Sequence, residues 1–93
     1  MRIDSLIAAA HVGNTDMTQY FLDIGDDPNI QDSDGATALM HAVEKGHRNI
    51  VQLLLKKGAD VNIQASDGST ALSSASQRGY KDIEIMLRLE SSK

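Results

Sequence analysis

The stretch "DGATALMHAVEKGH", residues 34–47, is echoed further along the chain by "DGSTALSSASQRGY", residues 67–80. Gly35, Thr37, Ala38, Leu39, Ala42 and Gly46 return 33 residues later as Gly68, Thr70, Ala71, Leu72, Ala75 and Gly79. The register continues beyond the quoted segments, pairing Ile50 with Ile83 and Leu54 with Leu87. It also runs backwards. Leu39 steps to Leu6, Ala42 to Ala9, Gly46 to Gly13, Leu54 to Phe21, Gly58 to Gly25, Asn62 to Asn29 and Gln64 to Gln31. A fixed period of this length marks a repeat architecture. The chain therefore reads as a single domain, residues 1–93, of three units spanning about 1–31, 32–64 and 65–93.

Each recurring position has a physical task. Asp34-Gly35 and Asp67-Gly68 are turn dipeptides, with Gly supplying positive φ without a steric penalty. Thr37 and Thr70 stand where an N-cap belongs. A short helix is predicted over about 38–45, stopped by Gly46 in the left-handed conformation past a helix end. A second helix is predicted over about 48–57. Its Ile50, Val51, Leu53, Leu54 and Leu55 form a stripe broad enough to bury most of its girth. Gly58 ends it, and "ADVN" (59–62) opens an extended loop. One such unit cannot bury its own apolar face, so its neighbours must stack on it. Ala38 and Ala42 line the first helix and allow the next pair to approach closely.

The segment "DGATALMHAVEKGHRNIVQLLLKKGADVN" resembles an ankyrin repeat along its whole length. The third unit matches through Leu87. The first keeps Leu6, Ala9, Gly13, "YFL" (20–22) and Gly25 but lacks the Asp-Gly turn and the threonine. The resemblance implies an all-α solenoid of helix-turn-helix units joined by short hairpin-like turns. Where the family writes "TPLH", this chain has "TALM" and "TALS". Losing the proline leaves the unfolded chain freer, at a cost of roughly 0.4–1 kcal/mol per site. Met40 and Ser73 take the place of the histidine that ties repeats together in the family, and His41 falls one residue late. Both ends read as capped. Glu84 and Arg88 replace Val51 and Leu55 in the last unit, Ile85 works against the trend in place of Gln52, and Arg2 and Asp4 stand where the first turn would be.

Composition narrows the function. Aromatic residues are only 3% of the chain, so the core must be aliphatic. The absence of cysteine excludes disulfides, thiolate metal sites and cysteine nucleophiles. No apolar run approaches the ~20 residues of a membrane helix. Asp4 interrupts the short apolar patch at the start, so the expected location is cytoplasmic. The net charge of −4 lies entirely in residues 1–31, where five aspartates face one arginine. That argues against nucleic acid, which selects a basic stripe. The acids read as solvated loops, or alternatively as a patch for a basic partner.

Candidate chemistry is sparse. The loop "DDPNIQDSDG" (26–35) fails the calcium pattern, which wants Gly sixth from the first ligand. His41 and Glu44 could form one edge of a metal site, but no second pair stands at ligand spacing. His11, His41 and His47 therefore read as structural or surface residues. Ser73, Ser74 and Ser76 lie in no nucleophile elbow, and no glycine-rich phosphate loop occurs. Met17 and Met86 match core positions, and Met40 is assigned to the repeat junction. No cofactor or metal is expected, and no enzymatic activity.

The remaining candidate for function is surface. The resemblance implies a protein-interaction module that binds another protein through turn tips and the concave face of the first helices. The tips are Ser33, Asp34 and Ala36, then Ser66, Asp67 and Ser69. The helix positions are His41, Glu44 and Lys45, then Ser74, Gln77 and Arg78. Ala36/Ser69, His41/Ser74, Glu44/Gln77 and Lys45/Arg78 vary between copies, while Ser33/Ser66 and Asp34/Asp67 repeat. Lys45 and Arg78 are expected to form a ladder of two cations suited to an acidic or mixed-charge segment. The module is expected to be monomeric. The alternative is a structural spacer within a longer stack.

Overall fold

The computed structural model describes residues 5–92. They form α1 (Leu6–Val12), α2 (Thr15–Asp23), α3 (Ala38–Glu44), α4 (Arg48–Lys56), α5 (Ala71–Arg78) and α6 (Lys81–Ser91), with no strand among them. The fold is an all-helical repeat stack of three antiparallel helix pairs. α1, α3 and α5 pack side by side in one layer, and α2, α4 and α6 form a second, more loosely joined layer. Arg2 and Asp4 lie outside the described residues.

The helix starts follow side-chain caps. Thr37 and Thr70 accept from the backbone N–H of Met40 and Ser73, and Ser73 returns the bond to Thr70, completing a capping box. In the first unit Ser5 caps α1 by accepting from Ala8. The end of α3 is a Schellman motif. His47 N–H donates to Ala42 at 2.9 Å, Gly46 N–H donates to Val43 at 3.0 Å, and Gly46 has φ +71°. α3 ends one residue earlier than its sequence suggests because Lys45 is the cap and Gly46 the left-handed residue after it.

One continuous core runs through the stack. Ala9, Ala42 and Ala75, one per unit, are fully buried. Leu39, Val43, Ile50, Val51, Leu54 and Leu87 fill the space between the layers. Met40 is also buried there, while Met17 and Met86 are half-buried. Met86 packs against the core. Glu84 and Arg88 pair at 3.0 Å on α6. Ile85 and Leu89 remain 57% and 62% exposed, so the polar cap of the last unit is incomplete on its outer side.

The extended segments are also tied across the repeat. Gln31 Nε2 donates to the Gly35 carbonyl at 2.8 Å and to Gln64 at 3.2 Å. Asn29 Oδ1 accepts from Asp60 N–H at 2.7 Å. These bonds give Asn29 and Gln31 their place in the stack.

The Gly46→Val variant is expected to lose more than about 1 kcal/mol through left-handed strain. Its new Cβ would also lie 3.3 Å from the Tyr80 ring. Urea denaturation followed by far-UV circular dichroism measures this, and a midpoint equal to wild type would contradict the cap geometry.

Candidate functional site

The tips and the last turns of the first helices form one ridge and its concave flank. Each tip closes with a backbone pair: Asp32 N–H to Ala36 at 2.9 Å, and Ala65 N–H to Ser69 at 2.9 Å. Adjacent tips are stitched by Ser66 N–H donating to Asp34 at 2.9 Å. At Gly35, φ is +76° and a Cβ would lie 2.9 Å from that same Ser66 nitrogen, so the stitch requires glycine.

Asp34, Ala36, His41, Glu44, Ser66, Asp67 and Ser69 surround a cavity of about 340 Å³ between the two tips and α3, together with Asp32 and Ala65. Ser33, Lys45, Ser74, Gln77 and Arg78 lie outside it. Ser33, Asp34, Glu44, Lys45, Ser66, Asp67, Gln77 and Arg78 are exposed, and Ala36, His41, Ser69 and Ser74 are half-buried. Glu44 stands beside the two cations of the expected ladder. Arg78 leans across the unit boundary onto Glu44 at 3.9 Å, so the neighbouring carboxylate offsets its charge.

Asp32 is the polar centre of the middle tip. Its Oδ1 accepts from Asp34 N–H at 2.9 Å and from Ala36 N–H at 3.0 Å, and its Oδ2 accepts from His41 Nε2 at 2.8 Å. The His41 bond, with help from the two backbone donors, holds the Asp32 carboxyl below the usual carboxylate range. Asp67 is lowered likewise, chiefly by the Ser69 hydroxyl at 2.6 Å. His41 Nδ1 lies 3.1 Å from Nδ1 of His11, on the preceding unit. His41 thus ties two repeats together despite its shifted position.

His47 also crosses a unit boundary. Its Nε2 donates to the His11 carbonyl at 3.2 Å, and its ring covers Gly13, where a Cβ would meet it at 2.7 Å. One period on, Tyr80 covers Gly46. No group of three or more His, Cys, Asp or Glu converges as metal ligands among the described residues. No described helix is long and apolar enough to cross a membrane.

The sequence profile for ankyrin repeats matches residues 6–92 in three copies. The chain belongs to the ankyrin-repeat family. No curated protein matches it. Members of the family generally serve as protein–protein interaction modules and are generally non-enzymatic. On this ankyrin stack a larger groove of about 850 Å³ lies on the outer face between α4 and α6, with Leu53, Leu55, Met86 and Leu89 on its walls.

Removal of the central carboxylate by Asp32→Ala is expected to cost about 0.5–1.5 kcal/mol at pH 7, because the part-buried donors of Ala36 and His41 lose their acceptor. The folded chain binds the Asp32 proton more weakly than the unfolded chain does. Its contribution is therefore complete above the unfolded carboxylate range and is lost as pH falls through the lowered folded value. Denaturation at pH 7 and at pH 3 should show the gap between wild type and variant closing in acid. A gap independent of pH would contradict the assignment.

Proposed function

We propose that this chain is a non-enzymatic protein-binding module that engages its partner through the turn tips and the concave face of the first helices. The observation that carries the reading is the contrast between fixed and variable positions. Caps, alanines and left-handed glycines repeat with the period, whereas His41/Ser74, Glu44/Gln77 and Lys45/Arg78 change between copies and stand at or near the surface. A repeat scaffold leaves such positions free for recognition. The balance at the tips is acidic: Asp32, Asp34, Glu44 and Asp67 share one cavity with a single histidine. That balance favours a mixed-charge partner segment, with basic side chains near the tips and acidic ones along the flank, where Lys45 and Arg78 stand exposed. On this reading the module is one domain acting as a monomer in the cytoplasm, where the absence of cysteine costs it nothing. The spacer alternative asks for an apolar contact surface on an end unit, and the exposed Ile85 and Leu89 beside the Glu84–Arg88 pair supply part of one.

A second reading rests on the outer groove. Ile85 and Leu89 occupy positions held by Gln52 and Lys56 in the middle unit and by Gln19 and Asp23 in the first. At these two outer positions only the last unit is apolar, and exposed apolar patches mark interaction surfaces.

The two faces separate in one experiment. A partner recovered from source lysate is titrated against Lys45→Ala/Arg78→Ala and against Ile85→Gln/Leu89→Lys. The concave reading expects the first variant to lose roughly 1–3 kcal/mol of binding. Its melting midpoint should barely move, since the Arg78–Glu44 pair is half-exposed and weak. Unchanged binding by that variant, with loss in the second, would transfer the function to the outer face.

A further inference from the structure

His11 and His41 come together only through stacking, at the ends of α1 and α3. Their Nδ1 atoms are 3.1 Å apart, and their rings stand edge to face at 71°. The other ring nitrogen of His41 faces the Asp32 carboxylate at 2.8 Å. That bond requires a proton on Nε2 of His41, so in the neutral ring Nδ1 carries a bare lone pair aimed toward His11. Asp32 is itself fixed by two backbone donors, so the His41 ring has a set tautomer and direction. A carboxylate that holds the far nitrogen of an imidazole is the usual outer support of a histidine metal ligand.

From this geometry we infer a divalent transition-metal site with His11 Nδ1 and His41 Nδ1 as its two protein ligands and Asp32 as its positioning residue. Metal–imidazole bonds are ~2.0–2.1 Å long. Two nitrogens 3.1 Å apart then subtend roughly 100° at the metal. This lies between the square-planar and tetrahedral angles. Imidazole donors suit zinc, copper and nickel, with Cu²⁺ bound most tightly.

The proton balance is simple. Without metal, His11 donates its Nδ1 proton into the His41 lone pair. With metal, neutral His11 holds that proton on Nε2 instead, and nothing is released. When either ring is protonated, binding must expel a proton, so affinity falls in acid. His41 is about one-fifth exposed on its side chain, which gives an ion access. Since no third ligand converges among the described residues, water or a donor from a bound partner completes the coordination.

The test is calorimetric titration of the tag-free chain with Zn²⁺ alone, beside ¹H–¹⁵N spectra of the histidine rings. One saturable equivalent per chain is expected, shifting the His11 and His41 signals and leaving those of His47 largely in place. His11→Ala and His41→Ala should each weaken binding by more than about tenfold. His47→Ala, which retains both ligands, should stay within a few-fold of wild type. Circular dichroism of the metal-free variants establishes that they are folded, and the wild-type ring spectra stand even where a variant is not. Absence of saturable binding, equal affinity in the His11 and His41 variants and wild type, or ring shifts centred on His47 would each overturn the site.

Discussion

Close approach of the first helices is the constraint on which the rest depends. Ala9, Ala42 and Ala75 have no exposed surface, and each occupies the same place in its unit. A methyl group at that point lets α1, α3 and α5 lie in one tight layer. The second helices then cover its inner side with Ile50, Val51, Leu54, Ile83 and Leu87. No helix pair has enough apolar surface to close a core alone, so burial arises between units rather than within them. The tips follow from the same spacing. Ser66 reaches Asp34 only because the first helices beneath them are close.

Rings over glycines make a second use of the repeat. His47 lies over Gly13 and Tyr80 over Gly46, one period apart. At both sites the glycine meets two demands at once, a left-handed backbone and room for a ring from the next unit. Gly79 has the same left-handed φ with nothing within 4 Å of an added Cβ. The recurrence of glycine at this position therefore reflects cap geometry first and stacking second.

Periodicity made the scaffold legible. Caps, alanines, helix limits to within a residue, and the order of units all follow from positions that repeat. The polar links were harder to read because they are off-period. His11 and His41 are separated by 30 residues, one helical turn short of the repeat, so alignment of the copies pairs His11 with Glu44 instead. Asp32 is invisible for a related reason. Its counterpart is Ala65, and only the middle tip gains a carboxylate with three donors. The Glu44–Arg78 contact at 3.9 Å joins variable positions of neighbouring units, and its distance depends on how closely those units stack. Outer-face exposure at Ile85 was legible as a departure from Gln52, whereas the part of Leu89 and the groove beside it depend on the spacing of two helices.

The most direct test of the stacking account is equilibrium unfolding of Ala42→Leu. Leucine keeps helix propensity nearly constant, so the variant isolates the space between first helices. The account predicts a loss of roughly 1–3 kcal/mol from overpacking, in a single transition seen alike by far-UV circular dichroism and tyrosine fluorescence. Stability equal to or above wild type would contradict the claim that close approach at Ala42 holds the stack together.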